Sequence, residues 1–253
     1  MYQQNLNTFD IEQGDTQIGY KSLLNDENVR IQFIRKVYLI LSFQLLFTTI
    51  FCTFSYFSTG FAVYQLQNTW LFYVLLIVGL ICEISLICCK NVSRKVPNNY
   101  IILGVFTFCE SWIVSYSCSI AYLIYPENGG QLVLIAAVLT LAITISLTLY
   151  AFTTKSDITM AGGSLFIFSA VLLVLGLLCL IFNSKIIHMI YIGGLAILYG
   201  FYLIYDTQLL MGNKEYSYSI DDYIVAALQL YIDIIMLFLQ LLQLLLELFG
   251  KKD

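Results

Sequence analysis

Seven apolar runs, each near or above the ~20 residues needed to cross a bilayer, divide most of this sequence. They are Val37 to Phe57, Leu71 to Cys89, Tyr100 to Ile124, Leu132 to Phe152, Gly163 to Phe182, Ile186 to Tyr205 and Tyr223 to Phe249. Composition agrees: 60% of the residues are hydrophobic and 11% charged, where a soluble domain carries about 25% charged residues. The expectation is an all-α membrane protein, a seven-transmembrane-helix bundle over 28–253, with a lipid bilayer as its solvent. A polar, mildly acidic stretch, 1–27, precedes it and is read as a disordered cytosolic tail. It has no apolar core of a secretory signal and is too acidic for an Arg-rich mitochondrial presequence.

Lys and Arg orient the bundle. The tail and the loops after spans two, four and six hold Lys21, Arg30, Arg35, Lys36, Lys90, Arg94, Lys95, Lys155 and Lys214, against Lys185, Lys251 and Lys252 on the other side. That places the amino terminus in the cytosol and Gln65 to Asn68 on the opposite face. Two of the three exceptions sit at the carboxyl terminus, so a last segment that re-enters rather than crosses is the alternative topology. The basic residues form no large patch, and no nucleic-acid partner is expected. The seven cysteines lie in or beside apolar runs and a single His is present. This excludes a disulfide framework, a zinc site and a resident cofactor as readings.

The informative residues are acids. Asp206 closes the sixth run and Asp233 lies inside the seventh, with no Lys or Arg in either. A lone charge at mid-membrane costs roughly 2.5 to 3.5 kcal/mol on insertion scales, so such an acid is a candidate functional residue. Gln229, Asp233, Gln240, Gln243 and Glu247 follow one another at spacings that keep them on one helical face. Glu110, with Thr107 and Ser117, marks a weaker polar face on the third span; Glu83, near the end of the second, is read as structural. Two carboxyls brought together in a low dielectric cannot easily both ionise, so they share a proton. Hard oxygens of this kind also suit Ca2+, although two carboxylates fall short of the six to eight oxygens it prefers. Asp206 and Asp233 are therefore candidate proton-sharing and transient Ca2+ residues, with Glu110, Gln229 and Gln240 as a candidate ion pathway; a pH-sensing and gating role for the two aspartates comes from the resemblance given next.

Several segments carry a resemblance: YDTQLLMGN at Tyr205 to Asn213, FIRKVYLILSFQLLFTT at Phe33 to Thr49, LTLYAFTTKSDIT at Leu147 to Thr159, FCESW at Phe108 to Trp112, and the final AALQLYIDIIMLFLQLLQLL. Together they resemble the transmembrane Bax inhibitor-1 motif family, most closely its Lifeguard branch, over about Asn28 to Phe249. The resemblance implies a central last helix and a pH-sensitive calcium leak at two hydrogen-bonded aspartates, matched by motif to Asp206 and Asp233. It also implies a link to cell-death control and to an intracellular membrane, the endoplasmic reticulum or Golgi, with the mitochondrial inner membrane as the alternative. Bacterial members pair this site with a basic residue on the second helix; Leu71 to Cys89 has none.

Other classes fit less well. A retinal protein needs a Lys within a span. An intramembrane aspartyl protease needs Gly-x-Gly-Asp, but Asp233 follows Leu230-Tyr231-Ile232; Gly162-Gly163-Ser164 with His188 makes only a weak rhomboid-like pattern. The chain is therefore not expected to be an enzyme. Pro97 and Pro126 both lie between spans, which argues against a transporter built on broken helices. The competing reading is a non-catalytic scaffold or accessory subunit of a larger membrane complex, partnered by other membrane proteins.

Overall fold

A computed structural model describes residues 28–182 and 184–250; the tail expected at 1–27 lies outside the described residues. Nine helices appear among these: α1, described over Asn28–Phe57, α2 (Thr59–Gln67), α3 (Thr69–Cys88), α4 (Lys90–Ser93), α5 (Asn98–Ile124), α6 (Gly129–Thr153), α7 (Gly162–Ile181), α8 (Lys185–Met211) and α9 (Tyr223–Phe249). All except α2 and α4 are long and apolar enough to cross a membrane, giving seven spans, and no strand occurs among the described residues. The all-α, seven-span reading holds. Helices are what these sequences must form, because hydrocarbon offers no partner for an unpaired N–H or C=O.

The last helix is the axis of the bundle. α9 packs against α1, α3, α5, α6 and α8, and Ile224, Leu228, Tyr231 and Ile235 on it join Phe33, Val37 and Leu41 of α1 and Leu103 and Phe106 of α5 in one core. Residues four apart on a helix stack on one face, so each contributor presents a narrow apolar stripe. α7 is the opposite case, leaning on α8 while Phe166, Leu180 and Ile181 remain exposed to the lipid side. α9 is unbroken for 27 residues, about 40 Å at 1.5 Å per residue. That exceeds the ~30 Å hydrocarbon core and favours crossing over re-entry.

Buried hydroxyls and amides tie α1 to α5 and α9. Gln44 Nε2 donates to Thr107 Oγ1 at 3.0 Å, and Thr48 Oγ1 meets Ser111 Oγ at 2.9 Å and Tyr231 Oη at 2.7 Å. The short α2, absent from the sequence reading, brings Gln65 into this layer, where it accepts from Ser119 Oγ at 2.7 Å and from Ser55 Oγ at 3.1 Å. Gln65 is buried. The reason is chemical: its amide satisfies hydroxyls that would otherwise be orphaned between helices.

Candidate functional site

The two aspartates come from adjacent antiparallel helices. α8 extends past the apolar run to Met211, which puts Asp206 inside the helix, little more than a turn from its end. Asp233 lies almost three turns into α9. Both side chains are buried, at 3% and 5% exposure, and their carboxyls are in hydrogen-bonding contact. Asp233 Oδ2 is buried and no donor from another group points at it. A bare carboxylate oxygen in such a place carries a desolvation penalty of about 1–3 kcal/mol or more. One proton between the two acids removes it.

A third residue completes the site, and it comes from the α8–α9 loop. Tyr218 Oη donates to Asp206 Oδ1 at 2.7 Å and also meets Gln229 Oε1 on α9. Burial first, and then the neighbouring Asp206 charge and hydrogen bond, pushes the Tyr218 phenol well above the usual tyrosine range. It therefore remains a donor. Its single proton can serve Asp206 or Gln229 but not both at once.

The loop is held in place from three directions. Arg30, on α1, sends Nε to the Met211 carbonyl at 3.2 Å, Nη2 to that of Leu209 at 2.7 Å and Nη1 to that of Tyr218 at 2.7 Å. Two of these belong to the last turn of α8, whose carbonyls have no helical partner and whose dipole favours a cation. Gly212 ends α8 with a left-handed φ of 70°, and a Cβ there would stand 2.5 Å from Arg30 Cζ. On the α6–α7 side, Gln208 on α8 accepts from the Ile158 N–H at 2.8 Å and donates to the Ser156 carbonyl at 3.0 Å. Lys214 Nζ reaches the Lys155 carbonyl at 3.0 Å, and Asp157 Oδ2 accepts from the Glu215 N–H at 3.1 Å. The Thr159 hydroxyl, followed by that N–H, holds the Asp157 carboxyl below the usual carboxylate range. On the third side Arg94 grips Asp222 with two bonds, at 2.7 and 2.9 Å.

The remaining sequence candidates divide. Gln229 is at the pair through Tyr218, whereas Gln240 is two turns along α9 with a buried, unpartnered Oε1. Glu110 is not brought to the aspartates: its Oε1 lies against α3, 3.5 Å from where a Gly79 Cβ would stand, and its electrostatic neighbour is Glu83. At the other end of α9, Glu247 contacts His188 Nδ1, and Gln243 approaches His188 Nε2 at 3.3 Å. Among the described residues no three His, Cys, Asp or Glu side chains converge as a metal cluster. Sequence reading missed Tyr218, Arg30 and Gln208; the only available signal for the last was its place in YDTQLLMGN.

With this geometry in hand, the chain can be set beside known proteins. A family model described as "Inhibitor of apoptosis-promoting Bax1" matches residues 30–251. Protein lifeguard 3 of Mus musculus is 36% identical over 233 residues, 90% of this chain and 72% of that protein. The chain belongs to the Bax inhibitor-1/Lifeguard family. Protein lifeguard 3 of Homo sapiens is also 36% identical, over 87% of this chain and 70% of that protein. Protein LIFEGUARD 4 of Arabidopsis thaliana is 37% identical, over 88% of this chain and 87% of that protein. The family is one of multi-pass membrane proteins linked to the regulation of apoptosis. Two of the Lifeguard-like motifs meet at the loop end, since YDTQLLMGN supplies Asp206, Gln208 and Gly212, and LTLYAFTTKSDIT supplies Asp157 and Thr159.

Proposed function

We propose that this Lifeguard-family protein is a pH-sensitive calcium leak channel of an intracellular membrane, the endoplasmic reticulum or Golgi, with Asp206 and Asp233 as its gate. The observation that carries this reading is the contact between two buried carboxyls, one of which keeps a buried oxygen without a hydrogen-bond partner, as a shared proton would require. At high proton activity the shared proton bonds α8 to α9 and the path is shut. As pH rises the proton leaves, two like charges face each other in a low dielectric, and the helices separate. The site that opens is anionic and built from hard oxygens: two carboxylates, the Gln229 amide oxygen and the Tyr218 hydroxyl. Such a set suits a passing Ca2+, with water completing the shell, better than a resident one. Control of calcium release would connect the channel to cell-death regulation.

Flux from liposomes containing only the purified protein, followed from pH 6 to 8, tests this. Wild-type flux is expected to rise with pH, and both Asp206→Asn and Asp233→Asn to flatten that rise, because an amide keeps the shape without the titration. Asn variants that keep the wild-type profile would remove the gate. A wild type that passes no Ca2+ would make the scaffold of a larger membrane complex the better account.

A further inference from the structure

We propose that the α8–α9 loop is the latch of the aspartate gate, with Tyr218 as the bolt and Arg30 as the residue that positions it. This inference rests on the channel reading above. Tyr218 is the one loop side chain seen to reach an aspartate, and it bridges α8 to α9 by touching Asp206 on one and Gln229 on the other. The groups around its hydroxyl are Asp206 and Tyr205 on α8 and Asp233 and Gln229 on α9. The phenol cannot reach this place by itself. Its backbone is fixed on both sides of its Cα, the N–H donating to the Leu209 carbonyl at 3.1 Å and the carbonyl accepting from Arg30.

Arg30 contributes more than one bond. Its planar fork joins three carbonyls, two on the end of α8 and one on the loop, while its guanidinium carbon stacks 4.9 Å from the Phe33 ring centre. A lysine ammonium has no fork and could not span the three. Arg30 thus ties α1, the end of α8 and the loop into one body, and the loop cannot swing away from Asp206 unless that body opens. With α8 and α9 together the hydroxyl lies within reach of both Asp206 and Gln229. When the helices part it can keep only one of these partners, so it favours the closed loop end.

The test is the ratio of liposome Ca2+ flux at pH 8 to that at pH 6, which a merely structural defect would leave alone by scaling both fluxes equally. Tyr218→Phe keeps the ring and removes the hydroxyl, so the closed state at pH 6 leaks and the ratio is expected to fall about fivefold, the worth of one net hydrogen bond. Arg30→Gln should lower it about tenfold or more, since charge-assisted bonds are lost, and Arg30→Lys should fall with it. The Tyr218→Phe and Arg30→Gln double variant should be no leakier than Arg30→Gln alone. If Arg30→Gln fails to fold, Tyr218→Phe and Arg30→Lys decide. Wild-type ratios in Tyr218→Phe and Arg30→Lys, in a protein whose Asp206→Asn profile is flat, overturn the latch and leave the aspartate gate standing. A wild-type protein without flux, or with a profile indifferent to Asp206→Asn, overturns the channel reading and the latch with it.

Discussion

The two ends of the α8–α9 pair place similar chemistry in different surroundings. At the loop end two carboxyls are buried in contact, a phenol donates to one of them, and three sets of hydrogen bonds hold the loop above. At the far end Glu247 meets His188, but their side chains are 20% and 36% exposed. They line a cavity of about 730 Å3 with Lys185, Ser184 and Cys179. Asp233 and Glu247 belong to the same polar stripe on one helix. What separates them is the partner and the degree of enclosure: Glu247 lies beside a histidine at a partly exposed cavity, whereas Asp233 is sealed against another acid, and two such carboxyls must share a proton or push the helices apart. A gate can be built at the first end and not at the second.

Two substitutions of the same kind should expose the contrast most strongly. Gly212→Ala imposes a left-handed φ on an L-residue, costing roughly 1–2 kcal/mol, and drives a methyl into the Arg30 guanidinium; thermal unfolding in detergent should drop by several degrees. Gly193→Ala, in the half of α8 nearer the far end, meets nothing within 4 Å and should be neutral or stabilising by roughly 0.5–1 kcal/mol. Equal effects at both positions would show the loop end to be no tighter than the rest. A smaller difference is expected from Glu247→Gln. Glu247 lies beside a histidine at the far end of the bundle, away from the aspartates, so this change should alter the flux rate less than twofold and leave the midpoint of the pH profile in place. A shifted midpoint would mean that the far end also gates.

Much of this comparison was legible in the sequence, and the exceptions have a common cause. The Gln229, Asp233, Gln240, Gln243 and Glu247 stripe is a spacing, and spacing survives translation into a helix. Asp206 and Asp233 stood out because acids in apolar runs are costly. Tyr218 did not, since EYSYSI at 215–220 has neither periodicity nor an unusual composition, and its role depends on a loop path. Arg30 registered only as one more positive charge near a span. Its contacts lie 179 to 188 residues away and go to backbone carbonyls, which any sequence would supply. The burial of Gln65 was not legible for a related reason: it depends on the short α2, capped by Ser58, which the apolar runs do not reveal.

The central claim is that Asp206 and Asp233 share one proton that leaves as the gate opens. Infrared difference spectroscopy of the protein in bilayers reads this directly, because a protonated carboxyl absorbs apart from a carboxylate. Between pH 6 and 8 the wild type should lose one protonated-carboxyl band that is missing, or no longer titrates, in both Asp206→Asn and Asp233→Asn. A wild type with no such band at pH 6, or a band that titrates unchanged in the two variants, would contradict the shared proton.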